Sequence, residues 1–419
     1  MRGIRGGAVV VLVAATACGA GPAPLSADRF VDPDPFEPRI ERPTRTAVET
    51  ASPVPTLAPE ASPKPRPARY EIPQGHPVPA GSLLVATKDG RTVTVAALDM
   101  TTEDETVVLT YTESAPADHS GNYWDERPPS VALSPDREEL ALGSGDGLFL
   151  MDVRTGTTRA LIARVTEPNV DNHGAPGWSV DLPYDTFALV TPVWSPDGRY
   201  LAFEEVHYEG STFGFYDVRD EAYFSQRRLP YSYAQPSLGA ISWSPASATT
   251  VVPGNGVDEV VGLYVSEPGD PTRCTLIDVG EVDHLGAAAP GPDGARIAFT
   301  SGSTYDAFNR LAIVQSDGDI RTIDDEGLKD GVAFDAHGDL WWVEEGDVLR
   351  WDGAGTHATG DLSDHLDWAF VELGDERITL AGRSRDLGIA RFVAVDPVTG
   401  ERSFRHDSPT DYTTYLGIA

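Results

Sequence analysis

Cysteine is nearly missing from this chain of 419 residues, which holds only Cys18 and Cys274. That excludes a disulfide framework. If Cys18 serves as an attachment point, Cys274, in the strand-like run Thr272-Arg-Cys-Thr-Leu-Ile277, is left unpaired as a small, half-buried apolar side chain. Positive charge is scarce too: 32 Lys and Arg, three of them Lys, stand against 65 Asp and Glu, for a net charge of -33. Such a chain repels phosphate backbones and anionic headgroups, which excludes nucleic acid as a partner and docking on lipid by charge. Its acidity confers solubility on an exposed β-rich protein. Residues 1–80 hold 9 basic and 8 acidic residues, so the remaining 339, with 23 and 57, carry the whole excess.

Catalytic signatures are also absent. There is no G-x-S-x-G elbow to expose a nucleophile, no H-E-x-x-H and no closely spaced histidine pair to hold zinc. Gly143-Ser-Gly-Asp-Gly147 lacks the Gly-Lys-Ser/Thr ending of a phosphate loop and reads as a hairpin turn. Ser316-Asp-Gly-Asp-Ile320 lacks the bidentate Glu that a calcium loop requires. The sialidase box Ser-x-Asp-x-Gly-x-Thr-Trp does not occur. No cofactor and no metal are expected, and the chain does not read as an enzyme.

What is present begins with Arg2 and Arg5, an apolar run of about a dozen residues from Ala8, and small residues, the three parts of an export signal. The run is too short to span a bilayer. Ala15-Thr-Ala-Cys18 resembles a bacterial lipoprotein lipobox, with Ala15 where leucine is usual; Ala15-Thr-Ala17 also suits an ordinary signal peptidase. The expectation is a signal peptide over 1–17, lipidation (palmitate included) of Cys18, and a place on the extracytoplasmic face of the cell membrane. Residues 19–80 hold 15 of the 34 prolines, as in Pro63-Lys-Pro-Arg-Pro67. Residues 18–80 are therefore expected to be a disordered, proline-rich linker that holds the domain off the membrane.

From Gly81 the pattern is short alternating strands between Gly, Asp and Pro turns, with no amphipathic helix of useful length. The organising stretch is Pro192-Val-Trp-Ser-Pro-Asp-Gly-Arg-Tyr-Leu-Ala-Phe203, a hairpin whose Gly198 takes positive φ. Val131-Ala-Leu-Ser-Pro-Asp136, Ile241-Ser-Trp-Ser-Pro245, Pro292-Asp-Gly-Ala-Arg-Ile-Ala-Phe299 and Val332-Ala-Phe-Asp-Ala-His-Gly-Asp339 repeat it at roughly 40 to 60 residue spacing, the period of propeller blades. The fold expected is all-β: a seven-bladed β-propeller over 81–419. Its first blade lacks an inner strand, and the tail 412–419 is expected to supply it, leaving no long exposed edge.

The string of 192–203, echoed by Trp243-Ser-Pro245 and Pro292-Asp-Gly294, resembles the repeat of TolB-type, WD-repeat-like β-propellers. The resemblance covers 81–419, carried by motif in blades two to five and by strand pattern alone in six and seven. It implies structural roles: Trp194 and Trp243 wedged between blades, and Asp197-Gly198 at the turn. For function it implies an exported scaffold or binding module, or the non-catalytic part of some serine peptidases.

In a four-stranded antiparallel meander the connections alternate between two faces, and the long ones fall mostly on one. The candidate ligand face comprises Tyr123, Trp124, His173, Trp178, Tyr184, His207, Tyr208 and Tyr305, with Glu204, Glu205, Glu209 and Asp306 nearby. Exposed aromatics with a few carboxylates suit an envelope protein, peptide or glycan. Two functions stay open: a non-catalytic binding or scaffold module of the cell envelope, and a propeller hydrolase or lactonase using dispersed carboxylates, with calcium in the central channel.

Overall fold

The computed structural model describes residues 74–113, 127–166, 177–180, 182, 186–207, 210–225, 241–254, 261–266, 275–280, 282–304, 307–315, 318–362, 366–374, 377–384, 387–410 and 412–419. The expected signal peptide, Cys18 and all but the end of the proline-rich linker lie outside them, as does Cys274.

Every regular element among the described residues is a β-strand, and successive strands pair antiparallel. The first meander is β1 (Leu83–Asp89), β2 (Thr92–Leu98) and β3 (Glu105–Thr112). The second is β4 (Val131–Leu133), β5 (Glu139–Ser144), β6 (Gly147–Asp152) and β7 (Thr158–Thr166), with the two-residue β8 (Gly177–Trp178) on its outer edge. The third is β9 (Ala188–Trp194), β10 (Tyr200–His207), β11 (Gly210–Asp217) and β12 (Ala222–Ser225). The fourth is β13 (Ser242–Trp243), β14 (Thr250–Gly254), β15 (Gly262–Ser266) and β16 (Thr275–Asp278). Then come β17 (His284–Pro290), β18 (Arg296–Thr304), β19 (Ala307–Gln315) and β20 (Ile320–Asp324). The sixth is β21 (Lys329–Phe334), β22 (Leu340–Glu344), β23 (Asp347–Trp351) and β24 (Thr356–Asp361). The last is β25 (Asp367–Leu373), β26 (Ile378–Ser384), β27 (Ile389–Val395) and β28 (Arg402–Ser408), after which β29 (Thr413–Ile418) returns to β1. There Leu83 faces Ile418 and Thr87 faces Thr413.

A single bridge, Ser144 to Leu189, merges the second and third meanders into one nine-stranded sheet. Taken as two units, they bring the number of units among the described residues to seven.

The first strands of the units touch in cyclic order: β29 with β4, β4 with β9, β13 with β17, β17 with β21, β21 with β25, and β25 with β29. The remaining step, β9 to β13, is made by the Trp243 indole, whose Nε1–H donates to the Val193 carbonyl at 3.1 Å. Trp194 does the same one unit earlier, to the Ala132 carbonyl at 3.3 Å. The inner strands thus form a closed circuit from which the sheets radiate: the domain is a β-propeller.

The alternation of side chains along a strand explains why the units pack on both sides. Trp342 turns toward Ala298, Ile313 and Phe334 at the fifth–sixth boundary, and its neighbour Trp341 turns toward Leu366 and Leu380 at the sixth–seventh. Each boundary holds its own apolar cluster, the closing one built from Leu83, Val85, Phe392, Tyr415 and Ile418. Strands buried on both faces read as nearly continuous apolar runs, as residues 200–203 and 297–299 do.

The Ser-Pro-Asp turn is closed by its own side chains. Ser195 Oγ donates to Asp197 at 2.6 Å and accepts from the Tyr200 N–H at 2.8 Å. Ser134 repeats both bonds with Asp136 and Glu139. Gly198 has φ 69°, and the second unit places Arg137 at φ 63° instead, its guanidinium 3.1 Å from Glu372.

One boundary differs from expectation. Residues 74–79, assigned to the linker by their prolines, run against the first and second units. The N–H groups of Gly75, His76 and Val78 donate to the carbonyls of Gly156, Val108 and Val153 at 2.9, 2.7 and 2.8 Å. These backbone bonds, the Gln74 amide donating to Thr158 Oγ1 at 2.8 Å and Val78 packed on the first apolar cluster hold the segment without any apolar periodicity, which is why composition does not reveal it.

Candidate binding face and channel mouth

Connections from the second to the third strand of a unit, and from the fourth strand to the next unit, emerge on one face of the ring. The others emerge on the opposite face. The first face carries the stretches between Thr112 and Val131, between Thr166 and Ala188 (with β8 within it), and between Ser225 and Ser242. On the opposite face no connection is longer than that between Ser266 and Thr275. Gly156 and Val153, which receive the N-terminal segment, belong to that opposite face.

Of the residues expected on the ligand face, Tyr123, Trp124, His173, Tyr184, Tyr208 and Tyr305 lie outside the described residues. The structure places the other two inward. Trp178 is buried in β8 among Leu148, Leu161, Leu182 and Leu189, with its Nε1–H on the Thr186 carbonyl at 3.1 Å. An aromatic in a long connection can pack back onto its own sheet, and this one does.

His207 is 2% exposed. It belongs not to a loop but to β10, which carries its alternation through Glu204 and Glu205 before turning into β11. The burial of these polar groups is offset by hydroxyls. Thr212 donates to Glu205 at 2.9 Å and lies 2.6 Å from His207 Nε2; Tyr223 donates to the other oxygen of Glu205. Thr186 Oγ1 lies 3.4 Å from His207 Nδ1. Glu204 accepts from Ser211 at 2.5 Å and from Arg127 at 3.2 Å. Satisfied in this way, the carboxylates stiffen the third unit and are not presented to a ligand.

Two other carboxylates reach the channel. β21 and β25 begin on the loop-bearing face, with Asp330 and Asp367 at the mouth of a cavity of about 660 Å³ that follows the inner strands of units four to seven. The two strands approach closely at Gly331, where a β-carbon would fall 2.6 Å from the Trp368 carbonyl oxygen. The Asp330 carboxylate accepts the backbone N–H of Trp368. Burial, and next the charge of Asp367, push Asp330 up to about 7 against that hydrogen bond. Lys329, adjacent in sequence, turns its ammonium away to Asp324 at 2.8 Å, Glu344 at 3.1 Å and the Glu326 carbonyl.

Sequence reasoning missed Asp330 and Asp367. The signal was an aspartate at or next to the start of the inner strand in two successive units. A second cavity, of about 580 Å³, lies at the ring closure and is lined in part by Lys88, Asp89, His406, Asp407 and Tyr412. Among the described residues no group of three or more His, Cys, Asp and Glu side chains is arranged to hold a metal ion, and no helix is long and apolar enough to cross a membrane.

No protein-family model matches the chain, and no curated protein matches it. Solved structures do. TolB from Acinetobacter baumannii is similar with a TM-score of 0.43 and 12% identity, over 79% of this chain and 82% of that one. A nidogen/laminin complex has a TM-score of 0.41 and 13% identity, over 69% of this chain and 95% of that one. A functionally unknown protein from Desulfotomaculum acetoxidans has a TM-score of 0.48 and 10% identity, over 80% and 99%.

Proposed function

We propose that this chain is a non-catalytic binding or scaffold module of the bacterial cell envelope, lipid-anchored through Cys18 and displayed outside the membrane. It takes an envelope protein, peptide or glycan on the face that bears the long connections. The observation that supports this is the unequal length of the connections: three long stretches gather on one face, while the opposite face has short turns. Long connections on a rigid scaffold are where binding residues concentrate. Gln74–Pro79 docks on the short-turn side and leaves the loop-bearing face clear.

Photo-crosslinking in the envelope tests the reading, with the reactive residue placed at Ser120 between β3 and β4, or at Ala354 in the turn between β23 and β24. A discrete adduct from Ser120 and none from Ala354 is the expected result; the reverse overturns the assignment of the face. Intact mass of the membrane fraction tests the anchor, which predicts an N-terminus at a diacylglyceryl-modified Cys18.

A further inference from the structure

We propose that the channel binds a small organic monocation, with its ammonium group at Asp330 and Asp367 and its apolar body along the channel wall below. The site opens at the channel mouth on the loop-bearing face, but it does not depend on the partner assigned to that face.

The cavity, of about 660 Å³, has the size and character of a small-molecule site: concave, largely apolar, with few polar groups. Its walls include Leu285, Ala287, Phe308, Phe334 and Phe370. The hydroxyl of Thr300 is occupied by the wall itself, accepting the Ala287 N–H at 2.9 Å. Among the lining residues the charged ones are Lys329, Asp330 and Asp367. β13 and β17, which complete the wall, contribute no charge.

The Lys329 ammonium is 0% exposed and is held by Asp324, Glu344 and the Glu326 carbonyl, so it does not neutralise the cavity. A guest therefore meets two neighbouring carboxylates at the mouth and hydrocarbon beyond. Two like charges in a half-buried site repel each other, and a cation between them removes that cost. An anion meets repulsion. A bare divalent ion finds two carboxylates where calcium takes six to eight oxygens. A single positive charge on an apolar body satisfies both ends at once.

The test is calorimetric titration of the full chain with 2-phenylethylamine at pH 8 and low salt, beside the neutral 2-phenylethanol. Saturable one-to-one binding of the amine is expected, with the alcohol at least about tenfold weaker. Asp367→Asn should weaken the amine about tenfold and leave the alcohol unchanged. Asp367 is exposed, so this variant is not expected to disturb folding, and an unchanged melting curve checks that. Asp330→Asn should act in the same direction. Lowering the pH to 5.5, where Asp330 holds its proton, should weaken the amine in the native chain and have little effect in Asp330→Asn. Equal affinity for amine and alcohol, no heat from either at about 10 mM, or an Asp367→Asn variant that binds as the native chain does would overturn the proposal.

Discussion

The indole nitrogen of Trp243 sits 3.1 Å from the carbonyl oxygen of Val193, and that bond joins the fourth unit to the third. The ring stacks on Tyr200, with centroids 6.5 Å apart, and meets Phe215 edge-on at 5.9 Å. Trp243→Phe keeps most of the packing and deletes the donor, so a loss of about 1 kcal/mol is expected. Trp243→Ala, which also empties the wedge, should cost about 3 kcal/mol. Urea unfolding followed by circular dichroism measures both; equal midpoints for the two variants would show that the wedge contributes nothing beyond its donor.

Asp330 makes stability depend on pH near neutrality. Its carboxyl holds a proton more tightly in the fold, up to about 7, than in the unfolded chain, where carboxyls titrate near 4. The folded state therefore binds more protons across that interval, and stability falls as pH rises from about 4 to about 7. Asp330→Asn should flatten that decline and raise the melting temperature more at pH 8 than at pH 5. A scan of melting temperature against pH decides; parallel curves for variant and native protein would assign the slope to another group.

Asp407 works in the opposite direction. Burial raises it, but the guanidinium groups of Arg391, with Nε at 2.6 Å, and Arg405, with an amino nitrogen at 2.7 Å, more than reverse this and hold it at about 2. A carboxylate depressed in the fold stabilises above its unfolded range, and that contribution is lost as pH falls from about 4 to about 2. Asp407→Asn should be less stable than the native protein at pH 6, and the gap should close on acidification. A gap that persists at pH 2 would point to packing rather than charge.

The N-terminal segment rests on Gly156, whose φ is 73° and where a β-carbon would fall 2.2 Å from the Gly75 carbonyl oxygen. Gly156→Ala should lift Gln74–Val78 from the domain without opening the ring. Amide exchange at Gly75, His76 and Val78 should accelerate at least about tenfold, while that of β5 and β6 changes little. Uniform acceleration across the second unit would mean that the substitution unfolds more than the segment.

Much of this architecture is legible in the residues. The tryptophans of Val193-Trp194-Ser195 and Ser242-Trp243-Ser244 sit at unit boundaries because an aromatic before a tight turn lies at the end of an inner strand. The missing inner strand of the first unit pointed to the C-terminal tail, and Thr413–Ile418 pairs with β1. The inward turn of Trp178 and the burial of His207 were not legible. Composition marks a side chain as able to contact a partner and does not say that its own sheet offers hydroxyls and leucines first. Asp330 and Asp367 are distant in sequence, and only the packing of successive units puts them side by side. The docking of Gln74–Val78 combines main-chain bonds, which carry no residue signature, with single contacts from the Gln74 amide and Val78 that make no periodic pattern.

The pairing of Leu83 with Ile418 makes closure of the ring depend on β29. Until Thr413–Ile418 is available, β1 has a bare edge and the seam between Val85 and Phe392 lacks Tyr415, so a shortened chain is an arc rather than a circle. Proteases that survey exposed strand edges and apolar seams would thus discriminate closed rings from open ones with no dedicated recognition tag.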